Sequence, residues 1–342
     1  MQRQKFTIGI DIGGTNTVLG IVAGGGECVG KIKFPTQGCQ SIEDFRTKLV
    51  DGITELSQKR GAGKAIGGIG IAAPAARHRE GTIQSPANLQ WGTVDIVNLL
   101  KPYYNVPIVL TNDSNAAALG EMKFGLAKGM KNFVVITMGT GLGAGIVVDG
   151  RLLYGENGVA GELGHMTIEP GGRLCGCKRR GCVETYVSAT GIRRTVFELL
   201  ARSTEETELR EICYNQLTAE KTHELARRGD PIAIEAFELT GNVLGRVLSN
   251  TVAVFDPEAI ILSGGLMRAG DLLLEPTTKS FNENVLKLHK RKAVILKSQL
   301  KDGEAAILGA SSLVNEGAAE MPDGAPAYPE AISGNVMFEG QG

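Results

Sequence analysis

Residues 5–23 read KFTIGIDIGGTNTVLGIVA: apolar residues alternate with small or polar ones as far as Ile12, a GGTN turn occupies 13–16, and a second apolar run fills 17–23. Alternation with a period of two marks a strand with one buried face. The stretch therefore predicts two strands joined by a glycine turn, with a further strand near 29–34 completing a meander. A related unit returns at 133–149, FVVITMGTGLGAGIVVD, again strand, glycine-rich turn, strand. Two degenerate copies of one unit predict an α/β fold of two similar domains facing each other across a cleft.

Between the copies, Ser41 followed by Glu43 and Asp44 opens a helix over 41–59, a strand returns at 65–72, VPIVLT forms another at 106–111, and NAAALGEMKFG begins the next helix. Beyond the second copy, helical patterns cover 187–200, 205–213 and 231–254. A short buried strand at 259–265, a helix from Leu272 to Leu286, a strand at 293–296 and a last helix from Gly303 to about Asn315 follow. The tail from Glu320 is rich in proline and glycine and is expected to lack order.

The chain has 342 residues, enough for two cored domains, and an ordinary apolar fraction of 42%. A formal net charge of -1 supplies no global field to gather nucleic acid or an anionic membrane. The one basic run, LHKRK at 288–292, is short and lacks interleaved aromatics, so it reads as a solvated face. No apolar run reaches the length of a signal segment or a membrane span, and the expected home is a reducing cytoplasm.

GGTN at 13–16, GTGLG from Gly139 to Gly143 and SGG at 263–265 each follow an apolar strand. Glycines let successive backbone N–H groups turn toward an anion. Each alone is weak, because a tight hairpin turn explains it too. Neither a Walker A lysine nor a GxGxxG opening a helix is present, so phosphate held between hairpins fits better than a dinucleotide. Asp11, just before the first turn, could hold hydrated magnesium against phosphates or cap an Asx-type turn.

A second dense segment is GHMTIEPGGRLCGCKRRGCVE at 164–184. His165, Cys175, Cys177 and Cys182 supply the four ligands of a tetrahedral zinc site, and such spacing argues for metal ligation over a disulfide framework. Glu162 lies three residues before His165, near enough to share a face, and Glu184 follows Cys182 by two. Ionised carboxylates accept strongly from hydroxyl donors. Asp113 stands where a strand yields to a helix, a place that suits either a general base or an N-cap. The amide of Asn112 beside it can both donate and accept.

DIGGTN at 11–16, LTNDSNAAALGE at 110–121, the GTGLGAGIV run, AGELGH at 160–165 and CGCKRRGCVE at 175–184 resemble, in order and spacing, the ROK family of sugar kinases and sugar-responsive repressors. The resemblance covers about residues 5–315 and implies two actin-like (ribonuclease-H-like) ATPase domains flanking a cleft. It implies a small domain at 1–118, completed by the helix at 303–318, a large domain at 119–302 carrying the zinc loop, and a tail at 319–342. It further implies a glucokinase-like transfer from magnesium-bound ATP to a hexose in carbohydrate metabolism, with a structural zinc and a homodimer or tetramer. By the same resemblance, Asp113 is the base that takes the sugar hydroxyl's proton. Asn88 in the SPANLQWG loop at 85–92, Asn112, Glu162, His165 and Glu184 grip the sugar. Asp11, Gly13, Gly14, Thr15, Asn16, Gly139, Thr140, Gly141, Gly264 and Gly265 serve the nucleotide.

Two features bear on these expectations. Lys178 replaces the family glycine after the second cysteine, and a lysine adopts a positive φ only at a cost. ROK repressors usually carry a helix-turn-helix module ahead of the first strand, whereas strand one here starts near residue 5, which favours the kinase reading.

Overall fold

The computed structural model describes residues 6–58, 66–84, 92–290, 293–301 and 303–316. The chain opens as an antiparallel meander of β1 (Phe6–Ile12), β2 (Asn16–Ala23) and β3 (Cys28–Pro35), followed by α1 (Ile42–Gln58). β4 (Ile66–Ala73) pairs parallel with β1. A small sheet of β5 (Ala76–Arg77), β6 (Thr82–Gln84) and β7 (Thr93–Asp95) and the short α2 (Ile96–Leu100) lead to β8 (Ile108–Asn112), parallel to β4.

After α3 (Asp113–Phe124) the pattern repeats. β9 (Phe133–Met138), β10 (Leu142–Val148) and β11 (Arg151–Leu152) form a second antiparallel meander. α4 (Ala189–Leu200), α5 (Ala219–Arg227) and α6 (Pro231–Phe255) precede β12 (Ala259–Ser263), parallel to β9, and α7 (Asp271–Asn284) precedes β13 (Val294–Lys297), parallel to β12. α8 (Glu304–Glu316) closes the described chain. The two five-stranded sheets have orders β3-β2-β1-β4-β8 and β11-β10-β9-β12-β13, the same topology drawn twice. This is the duplication that the two strand–glycine–strand units predict, and it agrees with the actin-like architecture that the family resemblance implies.

The strand period of two gives each sheet two faces that pack differently, and in the first sheet one is heavily apolar and the other is built of small residues. In β1, Phe6, Ile8, Ile10 and Ile12 share a core with Phe45, Leu49 and Ile53 of α1. Gly9 and Asp11 fall on the other face, against which α8 packs. In the second sheet, Val134, Ile136 and Met138 of β9 join the core beneath α4 and α6. The remaining face takes α3, which also packs against α8. The approach is close: a β-carbon at Gly70 would lie 1.7 Å from the carbonyl oxygen of Ala310, and one at Gly309 would lie 1.6 Å from that of Ala116. No side chain fits there, so α8 and α3 sit directly on backbone.

Three local expectations change. The helix at 205–213 reduces to one short 3-10 turn at Glu208–Glu211, because Leu209 is its only buried apolar residue. A single anchor cannot hold a helical stripe. α5 forms instead, capped by the Thr218 hydroxyl, which accepts from Lys221 N–H at 3.1 Å. The small sheet β5-β6-β7 has strands of two or three residues, too short to show a period. The tail from residue 317 lies outside the described residues. Among the described residues no helix is long and apolar enough to cross a membrane.

Candidate active site

Both glycine turns are closed hairpins at the ends of equivalent strands. In the first, Gly13, Gly14 and Thr15 join Ile12 to Asn16, with Gly13 N–H donating to Asn16 O at 3.0 Å. In the second, Gly139, Thr140 and Gly141 join β9 to β10, with Gly139 N–H donating to Gly141 O at 3.0 Å. The second turn is also held from outside. Ala189 N–H donates to Gly139 O at 2.9 Å and the Thr190 hydroxyl to Thr140 O at 3.0 Å. Gly264 adopts a φ of 95°, and a β-carbon there would lie 2.5 Å from the Met138 carbonyl oxygen. Gly264 and Gly265 are thereby brought beside the end of β9.

Asp113 is the first residue of α3, directly after β8. The cap of this helix is Asn112, whose Oδ1 accepts from Ser114 N–H at 2.8 Å. The capping alternative weighed for Asp113 thus belongs to its neighbour. Asp113 Oδ1 accepts from the same N–H at 2.8 Å and from the Ser114 hydroxyl at 3.3 Å. Burial pushes the Asp113 carboxyl above the usual carboxylate range, with the Ser114 hydrogen bonds pulling the other way. Asp11 is pushed up to about 7, first by burial and then by the neighbouring Asp113 carboxylate. The ends of β1 and β8 therefore bring two acids within electrostatic reach.

The segment after β11 supplies the other wall. Glu162 precedes a 3-10 turn at Leu163–His165, and Glu184 sits in another at Val183–Thr185. Loss of water raises the Glu162 carboxyl, His165 opposes the rise, and Asp113 and Glu184 add to it. Glu162, Asp113 and Glu184 are thus electrostatic neighbours although they come from separate parts of the chain. Glu184 Oε2 accepts from Leu142 N–H at 3.1 Å, against Gly141, where a β-carbon would lie 2.1 Å from that oxygen. The sugar-side carboxylate expected at 184 is therefore fastened to the second glycine turn.

His165, Cys175, Cys177 and Cys182 present ligand atoms that all lie within 4.8 Å of one another. His165 Nδ1 is 3.6 Å from Cys175 Sγ, and Cys177 Sγ is 3.6 Å from Cys182 Sγ. A tetrahedral zinc with bonds of about 2.0–2.3 Å separates its ligand atoms by roughly 3.5–3.8 Å, so this set can hold such a metal. The other ring nitrogen, Nε2, points to Glu162 Oε2 at 3.9 Å. Lys178 has a φ of 69°, so the lysine does stand in the left-handed region that its sequence position predicts to be costly.

Sequence reasoning misses Arg173, the hub of this segment. Its guanidinium donates to Thr185 O at 2.7 Å, Gly191 O at 3.2 Å, Thr195 Oγ1 at 3.0 Å and Glu198 Oε1 at 2.8 Å, and lies 4.4 Å from the centre of the Tyr186 ring. It also misses Thr137, whose hydroxyl meets Ser114 Oγ at 2.9 Å. Both pairings join residues far apart in sequence, and no local spacing signals them. Asn88, Leu89 and Trp91 lie outside the described residues.

A model of the ROK family matches residues 7–317. A glucokinase from Halalkalibacterium halodurans is 35% identical over 286 residues, which is 82% of this chain and 87% of that protein. The crystal structure of a ROK family glucokinase from Streptomyces griseus in complex with glucose and AMPPNP superposes with a TM-score of 0.79 at 31% identity, covering 91% of this chain and 99% of that one. A xylose repressor from Caldicellulosiruptor bescii is 29% identical over 84% of this chain and 73% of that protein. Since the family match runs from β1 through α8 and takes in both sheets, the chain belongs to the ROK family.

Proposed function

We propose that this protein is a sugar kinase that transfers the γ-phosphoryl group of ATP to the 6-hydroxyl of glucose, giving glucose 6-phosphate and ADP. The observation that carries this reading is Asp113: a half-buried carboxylate, raised above its usual range by loss of water, with one oxygen fixed by Ser114 and three other acids within electrostatic reach or one step removed. A raised carboxylate is a stronger base than an exposed one. Asp113 takes the proton from O6 as that oxygen attacks the γ-phosphorus, and the bridging bond to ADP breaks in line. Glu162 and Glu184 accept from sugar hydroxyls, His165 Nε2 and the Asn112 amide orient them, and Asn88 adds a further polar contact. Likeness to the glucokinases, one of them solved with glucose and AMPPNP, supports the choice of sugar and donor.

The turns at Gly13, Gly14, Thr15 and Asn16 and at Gly139, Thr140 and Gly141 turn N–H groups to the phosphates, with Gly264 and Gly265 beside the adenosine. Asp11 would hold the magnesium carried with ATP, which would supply neutralisation of phosphate charge. His165, Cys175, Cys177 and Cys182 hold a structural zinc. A small domain at 1–118, completed by the C-terminal helix, closes on a large one at 119–302 and excludes water. The assembly in this reading is a homodimer.

A coupled ADP-release assay over glucose, N-acetylglucosamine, mannose and fructose, with the phosphosugar identified, tests the reaction and its specificity. Asp113→Asn is expected to lower kcat by roughly 10²–10⁴-fold while glucose still binds. Phosphorylation of no hexose, or near-normal turnover by the variant, overturns the reading. Sugar-responsive DNA binding without turnover moves the protein to the repressor branch, to which its 29% identity with a xylose repressor also connects it.

A further inference from the structure

The contact between α3 and β10 is built around two hydroxyls. Strand alternation puts Thr137 of β9 on the face that receives α3, together with Phe133 and Val135. Ser114, the second residue of α3, is 1% exposed there. Its Oγ lies 2.9 Å from Thr137 Oγ1 and 3.3 Å from Asp113 Oδ1, and Thr137 Oγ1 lies 3.4 Å from Gly143 O. The pair is admitted by an absence of side chain, since a β-carbon at Gly143 would lie 2.0 Å from Ser114 Oγ and 3.2 Å from Thr137 Oγ1.

Two hydroxyl protons serve three contacts, so the chain has two settings. With Asp113 ionised, the Thr137 hydroxyl donates to Ser114 Oγ and the Ser114 hydroxyl donates to Asp113 Oδ1. With Asp113 protonated, the Ser114 hydroxyl turns to Thr137 Oγ1 and the Thr137 hydroxyl to Gly143 O. Neither setting leaves a buried hydroxyl unpaired, which would be costly. The hydroxyls accommodate both states of the acid without movement of backbone.

We propose that Ser114 and Thr137 are positioning residues acting through Asp113: their linked hydroxyls hold Oδ1, turn Oδ2 toward the sugar hydroxyl, and tie the base to β9, the strand that runs into the Gly139 turn. The inference rests on the assignment of Asp113 as base made above. A purely structural bridge would matter to stability and leave kcat alone. A positioning bridge moves kcat and leaves ground-state sugar binding alone.

The experiment measures kcat, KM and calorimetric glucose affinity for the full chain and for Ser114→Ala, Thr137→Val, Thr137→Ser and the Ser114→Ala/Thr137→Val double variant. Ser114→Ala is expected to lower kcat about tenfold, as befits loss of a hydrogen bond to a charged group, with glucose affinity within about twofold of wild type. Thr137→Val is expected to lower kcat roughly threefold. Thr137→Ser restores it, and the double variant is no worse than Ser114→Ala because the chain passes through that residue. Should Ser114→Ala fail to fold, the valine and serine variants at 137 carry the test. Wild-type kcat in Ser114→Ala and Thr137→Val beside an inactive Asp113→Asn overturns the positioning role and spares the base. A serine variant as slow as the valine variant overturns it too. A wild type inactive on every hexose, or an active Asp113→Asn, removes the base itself and with it both readings.

Discussion

Asp11 shows how one residue of the site can be read out through stability. Its carboxyl is raised from 3.8 to about 7, by burial first and by Asp113 second. Between those values the folded chain holds a proton that the unfolded chain has released. The contribution of Asp11 to stability is therefore fully present below the unfolded value and is lost as pH rises toward 7, by about 1.4 kcal/mol per pH unit at most. In EDTA, denaturant titrations from pH 4 to 7 are expected to show this decline in wild type and a shallower one in Asp11→Asn. Asp113 and Glu162 are raised in the same sense and keep part of the slope. Equal slopes in the two proteins would mean that Asp11 is well solvated. The sequence makes Asp11 legible as a candidate because it stands between an apolar strand and a glycine turn. Its coupling to Asp113 is not legible, since the two residues lie 102 positions apart and only the sheet order brings them near.

Among elements, α8 is the one whose identity depends least on its own pattern. A helix from Gly303 is readable from composition, yet its seat depends on glycines in other elements, Gly9 and Gly70 of the first sheet and Gly120 of α3. Gly309 within α8 makes the reverse contact, with a β-carbon site 1.6 Å from Ala116 O. Helix propensity alone says that Gly309→Ala should stabilise by up to about 1 kcal/mol. Packing says the opposite, because the obstacle is a backbone carbonyl and the two helices must separate to admit a methyl group, a cost of about 1–3 kcal/mol or more. Packing is the larger effect, so the variant is expected to unfold at lower denaturant concentration than wild type with an unchanged m-value. A gain in stability would show that α3 and α8 are looser than this contact requires. The same logic explains the errors at 205–213 and 219–227. Helical spacing in sequence counts apolar residues, and what decides is which of them find a core: Leu209 alone in the first case, Leu225 and Ala226 behind a threonine cap in the second.

At the scale of the molecule, several contacts among the described residues tie the two halves together. Arg77 Nη1 donates to Asn157 O at 3.1 Å, the His78 ring stacks on Tyr154 at 4.5 Å, and the Ser114–Thr137 pair connects α3 to β9. The cysteine segment belongs to the second set of elements and has little core of its own. Its sheet-like content is two isolated bridges, Thr167 with Cys182 and Leu174 with Arg180, and Arg173 pins it to α4 from one side. On the proposed reading, a metal held by His165, Cys175, Cys177 and Cys182 fixes Glu162, His165 and Glu184 against Asp113. Removing zinc with a strong chelator is accordingly expected to leave the far-ultraviolet circular dichroism nearly intact, because both sheets and their helices are cored elsewhere. Calorimetric glucose affinity is expected to fall by at least about tenfold, the scale found when ligand-orienting shells of metal sites are lost. Added zinc should restore it at about one equivalent per chain. Unchanged glucose binding after verified metal removal would mean that Arg173 and the Leu142 bond to Glu184 hold the wall by themselves, and the metal would then have no part in shaping the site.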